Sequence, residues 1–310
     1  RKRSKATSAT SFPNFIWLTV LRQPCTRGIR ELSDGMNNPT PISEEEIQVW
    51  IAKLRAMRKY HMMDLPEALL RDLIVEEFAR HTNTNNAMQS VREKLHNVVA
   101  LYLGDPDYFN AQTAMQAAFS SGNPQSVRDF CLSMLASHAS TRERIALLDN
   151  FYQRLWEVTD LPHTILDLAC GLQPFALPWM NLPLTTCYYA YDLHRPRVEL
   201  INLFLELIGR PRLAFHQDIL VEPPGIQADV AFFFKEAHRF EQRRRGACRA
   251  FFEALQVRWL LVSLPISSLR GTRNLEQRQR RLMDNLLSGQ PWAVEEIRFE
   301  NELVFCIQKS

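Results

Sequence analysis

Apolar residues recur with helical spacing through the first half of the chain. Ile47, Ile51 and Leu54 follow Ser43, and a glutamate stands three residues after that serine, so the pattern predicts a capped helix. Similar spacing predicts four more helices, separated by Gly, Pro, Asn and Asp residues, at residues 68–80, 87–103, 108–120 and 124–135.

A second capping pattern, Ser140 with Glu143, predicts a last helix over residues 141–157. Residues 41–158 are therefore predicted to form an all-α domain. Residues 1–40, by contrast, show neither helical nor strand periodicity, and we expect them to be a disordered extension.

Beyond residue 158 the pattern changes to short apolar runs that alternate with helical segments. The runs predict strands at residues 164–169, 187–191, 213–216, 229–234 and 258–264. The intervening segments predict helices at residues 174–180, 195–208, 239–255 and 274–287. Residues 292–300 and 303–308 flank Asn301 and Glu302 and predict a closing antiparallel hairpin. Residues 159–310 are therefore predicted to form an α/β domain.

Charge is divided unevenly along the chain, which carries a formal net charge of +3. Residues 1–35 hold seven Lys or Arg and two Asp or Glu, and the other residues hold 30 and 32. The body is thus slightly acidic, and any affinity for nucleic acid has to come from local patches. Met36 precedes the first capped helix and is a candidate natural start, which would make the basic segment a translated extension.

Composition argues against several classes of protein. The six cysteines are scattered without a Cys-x-x-Cys pair, which disfavours zinc sites, iron–sulfur centres and a disulfide framework. No run of about 18 apolar residues occurs, so no transmembrane span is expected. We predict a cytoplasmic protein without a metal.

The most informative stretch is residues 163–174, His-Thr-Ile-Leu-Asp-Leu-Ala-Cys-Gly-Leu-Gln-Pro. A buried strand followed by Gly171 presents backbone N–H groups at the edge of the sheet where α/β folds bind nucleotide-like ligands. Asp192 ends the next apolar run, 25 positions after Asp167, and is placed to accept ribose hydroxyls. The Gly-x-Gly-x-x-Gly pattern is absent, so a dehydrogenase-type site is not expected. A strand, turn and helix with one glycine also occur in domains without such a ligand.

This stretch resembles the first motif of the S-adenosylmethionine-dependent methyltransferases that modify the aminoglycoside-binding decoding site of 16S ribosomal RNA. In particular, Asp-Leu-Ala-Cys-Gly-Leu-Gln-Pro is similar to the guanine-N7 family's pattern Asp-x-Ala-Cys-Gly-x-x-Pro. Other segments in the family's order are 137–144, Gln217-Asp218, Phe234-Lys235 and 262–271. The resemblance covers residues 40–310. It implies a class I methyltransferase fold, Rossmann-like with a seven-stranded sheet, preceded by an all-α N-terminal domain.

The resemblance also implies a function. The enzyme would transfer the methyl group of S-adenosylmethionine to a guanine N7 of 16S rRNA within the 30S subunit, and so confer aminoglycoside resistance. Guanine N7 has a free lone pair, so positioning rather than a general base would supply the rate, and no acid/base residue is expected. Two alternatives stay open: a methyltransferase for adenine N1 or a small molecule, and a non-catalytic RNA-binding protein. A monomer is expected.

Eleven residues are expected to contact the cofactor. Asp192 would hold the ribose, and Gln217 with Asp218 the adenine, although an Asp after a strand is also a common turn cap. The other expected contacts are His138, Ser140, Thr141, Arg144, Asp167, Ala169, Gly171 and Phe234.

The methionine end of the cofactor requires a cation for its carboxylate. Arg144 matches the family's arginine for this role, but a surface ion pair with Glu143 or Asp149 is the alternative. Ser140 is explained equally well as a helix cap.

The acceptor base would be positioned by Lys235, Ser263, Ser268 and Arg270. A lysine that snorkels from a strand end is the alternative for Lys235. The family's Ser-Phe-Pro-Thr-Arg-Ser-Leu-x-Gly is present here as Ser-Leu-Pro-Ile-Ser-Ser-Leu-Arg-Gly, residues 263–271. Ile266 and Ser267 thus replace the family's Thr and Arg, which leaves the exact target nucleotide open.

Arginine-rich runs flank the same edge, and arginine forks suit phosphate oxygens. The predicted RNA-binding residues are Arg239, Arg243, Arg244, Arg245 and Arg273, with solvated surface charge as the alternative. The all-α domain either docks on RNA or only covers the catalytic domain. Its candidate docking residues are Arg55, Arg58, Lys59, Arg92 and Lys94.

Overall fold

The structure is a computed structural model, and it describes residues 42–61, 63–100, 105–266 and 275–309. Residues 38–310 form one compact unit. The expectations for residues 1–40, and those for Ser268, Arg270 and Arg273, lie outside the described ranges.

Three helices pack around a core of their own. They are α1 (Glu44–Arg55), α2 (Glu67–Phe78) and α3 (Thr84–Val99), and we call them the three-helix unit. Ser43 caps α1 through a reciprocal capping box with Glu46, as predicted. The core of the unit is apolar, with Leu54, Leu69 and Val91 fully buried.

The remaining helices before the sheet share a core with it. They are α4 (Tyr108–Ser120), α5 (Pro124–Ser137), α6 (Ala139–Arg142) and α7 (Leu148–Thr159). Met115, Met134 and Phe151 pack in the same cluster as strand residues of the sheet. The change of core therefore falls between α3 and α4, inside the predicted all-α domain.

The prediction of one helix over residues 141–157 is wrong. The chain instead forms α6, a 3-10 turn at Ile145–Leu147 and α7, and Ser140 does not cap a helix. Its hydroxyl lies 2.7 Å from Nδ1 of His138. The interruption turns Arg144 into the core and frees the Glu143 carbonyl to accept an N–H from Asn301 at 2.5 Å.

The predicted seven-stranded sheet is confirmed. Its strands are β1 (Thr164–Leu168), β2 (Cys187–Asp192), β3 (Ala214–His216), β4 (Ala228–Phe234), β5 (Val257–Pro265), β6 (Ala293–Arg298) and β7 (Glu302–Gln308). The order is β3-β2-β1-β4-β5-β7-β6, with β7 antiparallel to both of its neighbours. The closing hairpin is therefore present, and β7 lies inside the sheet rather than at its edge.

The helices among the strands are a 3-10 turn at Gln173–Ala176, α8 (Leu177–Met180), α9 (Arg195–Leu207), α10 (Ala237–Arg243), α11 (Ala247–Ala254) and α12 (Glu276–Leu287). One helix over residues 239–255 was predicted, and this is wrong. Gly246 has a φ of 79° and separates α10 from α11. Glu241 accepts the N–H groups of Gly246 at 2.8 Å and Cys248 at 2.9 Å, which caps α11.

Alternation along the strands places a core on each face of the sheet. Ile165, Phe232 and Leu261 face the cluster that includes α9, while Leu166 and Phe233 face the cluster with α10 and α11. Because both faces are covered, the carboxyl edge of the parallel strands is the place left for a ligand. No helix in the described ranges has the length and apolar composition of a transmembrane span.

Candidate functional site

One pocket opens at the carboxyl edge of the parallel strands. All eleven residues expected to contact a cofactor line it: His138, Ser140, Thr141, Arg144, Asp167, Ala169, Gly171, Asp192, Gln217, Asp218 and Phe234. Helix α3 contributes Asn97 and Val98, which the sequence did not suggest, and Lys94, which we expected to contact RNA rather than to line the pocket. The three-helix unit therefore forms one wall of the pocket.

Two non-glycine residues with left-handed backbone follow the strands at this edge of the sheet; Ala169 lines the pocket, and Lys235 lies between the lining residues Phe234 and Glu236. Ala169 follows β1 with a φ of 52°, and Lys235 follows the adjacent strand β4 with a φ of 64°. Such conformations are disfavoured for residues with a Cβ and concentrate at functional sites. Gly171 also has a positive φ, 56°, and its N–H donates to Oδ2 of Asp192 at 3.0 Å.

Asp192 is already held by three donors. Its Oδ2 accepts from Gly171 N–H and from Nη1 of Arg197 at 2.9 Å, and its Oδ1 accepts from the backbone N–H of His194 at 2.9 Å. A carboxylate offers about four acceptor positions. The side nearer Oδ1 therefore has fewer donors than Oδ2 and is open to a ribose hydroxyl.

Asp218 and Gln217 are fixed by the turn after β3. Oδ1 of Asp218 accepts the N–H of Leu220 at 3.1 Å, so the turn-cap interpretation is confirmed. Nε2 of Gln217 donates to the carbonyl of Glu222 at 2.6 Å. Both residues nevertheless line the pocket, so the cap presents the Asp218 carboxylate to it.

Arg144 is buried rather than exposed, with 2% of its surface accessible. Its guanidinium lies 4.5 Å from the ring centre of Phe151 and 4.6 Å from that of Phe234. It donates to Oε1 of Gln173 at 2.6 Å and to both carboxylate oxygens of Glu302. The alternative prediction, a surface ion pair for Arg144, is therefore wrong. The planar guanidinium is held in one orientation at the pocket.

Lys235 does not snorkel to the surface, since it is only 5% exposed. Its Nζ lies 2.6 Å from Oε2 of Glu143 and 3.7 Å from Oε2 of Glu302. Glu302 is thus a counter-ion of two cations, Lys235 and Arg144. Burial alone would raise the pKa of Glu302, but the charges of Arg144 and Lys235 outweigh it and lower that pKa.

Ser263 is also placed differently from our expectation. The residue is fully buried, and its hydroxyl lies 3.5 Å from Nη2 of Arg144. A residue beneath the Arg144–Glu302 pair has no surface for contact with an acceptor base. Ser263 therefore supports the ion pair.

The titration of buried groups sets the charge of the pocket. Burial raises the pKa of Asp167 and of Glu236 to about 7. Burial and the charge of Arg197 lower the pKa of His138 to about 4. Near neutral pH His138 is therefore uncharged, while two carboxyl groups sit close to their titration midpoints.

Comparison with known proteins places this site in a family. The profile described as "Ribosomal RNA methyltransferase (FmrO)" matches residues 56–306. The chain belongs to this family. The match begins inside the three-helix unit and ends in β7, so it covers both the pocket and the helices beside it.

Curated relatives extend over the same length. A protein of Frankia casuarinae named "16S rRNA (guanine(1405)-N(7))-methyltransferase" is 28% identical over 280 residues, 89% of this chain and 99% of the relative. A protein of the same name from Serratia marcescens is 26% identical over 261 residues, 84% of this chain and 97% of the relative.

Solved structures show the same fold. An rRNA methylase from Escherichia coli is 26% identical, with a TM-score of 0.68 over 85% of this chain and 100% of its own. The methyltransferase RmtF, solved with S-adenosyl-L-homocysteine, has a TM-score of 0.69 at 23% identity over 86% of this chain. The second likeness shows the fold alone.

In this FmrO-family methyltransferase the arginines at the end of α10 and just after it differ in their surroundings. Arg243 is largely buried and lies 2.9 Å from Oδ2 of Asp72 in α2 and 2.7 Å from Oδ2 of Asp218. Arg243 therefore ties the three-helix unit to the pocket, and its expected contact with a phosphate is wrong. Arg244 pairs with Asp72 at 2.5 Å and is 39% exposed, whereas Arg245 is exposed.

Arg239 completes the set of arginines on α10. It is partly exposed, lines the pocket and pairs with Glu236, the residue that precedes α10. Its position is compatible with a contact to RNA at the mouth of the pocket.

The basic residues of the three-helix unit differ in their surroundings. Lys59 contacts Nδ1 of His96 and lies over the ring of Tyr60, while Arg92 is exposed on α3 near the same ring. Lys94 instead pairs with Glu77 at 2.6 Å.

The other two docking candidates are both exposed. Arg55 pairs with Glu67 at 3.4 Å, and Arg58 lies in the turn after α1. The five docking candidates therefore do not all lie on one face of the three-helix unit.

Among the described residues no cluster of His, Cys, Asp or Glu side chains is arranged to hold a metal ion. The five cysteines in these ranges are all free thiols.

Proposed function

We propose that this chain is an S-adenosylmethionine-dependent 16S rRNA (guanine(1405)-N(7))-methyltransferase that acts on the 30S ribosomal subunit. The names of relatives that match nearly their whole length support this target. The observation that carries the proposal is the convergence of all eleven expected cofactor residues, drawn from segments between 138 and 234, on one pocket.

The residues of the pocket fit the parts of the cofactor. The open position on Oδ1 of Asp192 suits a ribose hydroxyl, and the capped Asp218 suits the adenine amino group. Arg144 keeps at least one N–H on Nη1 beyond its bond to Gln173, and a cation held between two rings suits the methionine carboxylate. When bound, the cofactor supplies an electrophilic methyl group.

The enzyme's contribution is orientation rather than proton transfer. Guanine N7 attacks through its own lone pair, and no proton has to leave that nitrogen. Phe234 and Val98 give the pocket apolar surface, which would help to exclude water when the cofactor and the base are bound. Lys235, held by Glu143 and Glu302 at the end of β4, fixes the position of the backbone beside the acceptor.

RNA would be held outside the pocket. Arg239 lines the pocket, the partly exposed Arg244 and the exposed Arg245 follow α10 in the sequence, and Lys59 and Arg92 lie on the three-helix unit. Because the body of the chain is slightly acidic, contacts to RNA phosphates have to come from such local basic groups. We further propose a cytoplasmic monomer that confers aminoglycoside resistance.

Mapping of the modified nucleotide tests the proposal. 30S subunits are incubated with the protein and S-adenosylmethionine, and 16S rRNA is then cleaved with borohydride and aniline, which cuts at N7-methylguanine. We expect a single new cut at guanine 1405. A primer-extension stop at an adenine without that cut would show that the target is adenine rather than guanine 1405. Cofactor binding without RNA methylation would refute the proposal. Aminoglycoside susceptibility of bacteria that express the protein tests resistance.

A further inference from the structure

An ion-pair cluster joins the three-helix unit to the turn after β3. Nη2 of Arg243, at the end of α10, lies 2.9 Å from Oδ2 of Asp72 in α2 and 2.7 Å from Oδ2 of Asp218 in that turn. Arg244 reaches the same residue of α2, with its Nη2 2.5 Å from Oδ1 of Asp72. The guanidinium of Arg243 therefore links a carboxylate of the three-helix unit to a carboxylate that lines the pocket.

The cluster is shielded from solvent. The side chains of Asp218, Arg243 and Asp72 are 2%, 7% and 17% exposed. Burial alone would lower the pKa of Arg243, but the charges of Asp218 and Asp72 outweigh it and raise that pKa. Charges interact more strongly where water is excluded, so each member of the cluster restricts the orientation of the others.

Both oxygens of Asp218 are held by groups beside the pocket. Oδ1 accepts the N–H of Leu220 at 3.1 Å, and Oδ2 faces Arg243. Arg243 is in turn held by Asp72, because both carboxylates contact the same nitrogen. The orientation of the Asp218 carboxylate therefore depends on a residue of α2 that does not itself line the pocket.

A second contact keeps the three-helix unit against the pocket. Val98 of α3 lines the pocket, and Leu193, which follows Asp192, also lines it and packs against the core of the three-helix unit. The three-helix unit therefore adjoins the pocket close to Asp192 as well as close to Asp218.

We propose that Asp72 and Arg243 are positioning residues that hold the Asp218 carboxylate in the orientation that accepts the amino group of the cofactor's adenine. The inference rests on the proposed function, because it takes the ligand of the pocket to be an adenosyl compound. The adenine amino group donates, and a carboxylate that is fixed beforehand accepts from it without having to reorient. The three-helix unit thereby takes part in the selection of the purine, in addition to any contact that it makes with RNA.

Binding of two ligands to the full chain tests the proposal. Calorimetry is used to measure the affinity of S-adenosylhomocysteine and of S-inosylhomocysteine, in which a carbonyl oxygen replaces the adenine amino group. The parent protein should bind the inosine compound about 10- to 100-fold more weakly, because a hydrogen bond to a charged acceptor is lost. Similar affinities for the two compounds would overturn the proposal. Failure of S-adenosylhomocysteine itself to bind would instead refute the proposed function.

Variants separate positioning from a structural role. Asp72→Asn and Arg243→Met should weaken S-adenosylhomocysteine more than S-inosylhomocysteine, so that the ratio of the two affinities falls by about three- to tenfold towards one. Asp64→Asn is the matched control, because Asp64, just before α2, also pairs with an arginine of the sheet domain, Arg195 in the first turn of α9. Neither of these two residues lines the pocket, so this variant should leave the ratio unchanged.

A double-mutant cycle with Asp218→Asn decides through which residue Asp72 acts. The change in the ratio that Asp72→Asn causes should disappear in the Asp218→Asn background. A change of the same size in both backgrounds would mean that Asp72 acts by another route. Equal losses for both compounds in Asp72→Asn and in Arg243→Met would mean that the cluster only stabilises the fold. Either result contradicts the proposal.

Discussion

The substitution Glu302→Gln is expected to destabilise the enzyme strongly. Glu302 is fully buried and is shared by Arg144, at 3.2 Å from Nε, and Lys235, at 3.7 Å from Nζ. Removing one partner of a buried ion pair costs about 3–5 kcal/mol. Glutamine keeps the shape and one acceptor oxygen, so the lower end, about 3 kcal/mol, is expected. For a domain of this size that loss lowers the melting temperature by roughly 6–12 °C.

The pH dependence of the difference identifies its cause. The pKa of Glu302 is lowered on folding from its ordinary value of 4.5. A lowered carboxyl pKa stabilises the folded protein above the unfolded pKa, and that stabilisation is lost as the pH falls through the folded value. The parent and Glu302→Gln should therefore differ fully at pH 7 and converge as the pH falls below about 4.5.

Urea unfolding at pH 7 and at a series of lower pH values measures this difference. Glu206→Gln is the control, because Glu206 pairs with Arg212 at 3.3 Å on the surface and such pairs add little. If the free energies of unfolding of the parent and Glu302→Gln differ by less than about 1 kcal/mol at pH 7, Glu302 is not the shared counter-ion of Arg144 and Lys235. Such a difference is well below the cost of breaking a buried ion pair. A larger difference that does not change with pH would mean that packing, not charge, is responsible.

Three further predictions concern binding. Asp192→Ala should weaken S-adenosylhomocysteine about 10- to 100-fold in calorimetry, because a hydrogen bond to a charged acceptor is lost; unchanged affinity would contradict the placement of the ribose. Arg243→Ala should lower both cofactor affinity and stability, because Arg243 pairs with Asp218 and Asp72. Arg245→Glu should leave both unchanged but weaken binding to the 30S subunit, with a slope of log affinity against log salt flatter by about one. The reverse pattern would mean that Arg243 binds RNA and that Arg245 supports the fold. Deletion of residues 1–35 should leave the melting temperature and methylation unchanged, and a lost unfolding transition would show that the segment belongs to the fold.

The strands were predictable because their signal is local. A strand that is covered on both faces needs a mostly apolar run; β4 has a continuous one, and that of β1 is interrupted only by Asp167. The observed limits, Thr164–Leu168 and Ala228–Phe234, differ from the predicted ones by one residue at one end of each. The carboxyl edge of the sheet, and with it the pocket, followed from the strands.

The breaks in two predicted helices were not predictable from local pattern. Residues 141–157 have good helical spacing, but Arg144 has to reach Glu302, which is 158 positions away in the sequence. The prediction that Arg243 contacts a phosphate was wrong for the same reason, because its partner in α2, Asp72, is 171 positions away in the sequence. Periodicity describes neighbours in sequence, and a buried ion pair is decided by neighbours in space.

The insertion of β7 between β5 and β6 has a consequence for synthesis of the protein. Arg144 and Lys235 leave the ribosome long before Glu302, and until β7 enters the sheet they lack the carboxylate that they share. An unfinished chain therefore leaves Arg144 without its carboxylate partner, whereas Lys235 still has Glu143 at 2.6 Å. The pocket at the carboxyl edge of the parallel strands is therefore supported by an antiparallel strand that lies far from them in the sequence.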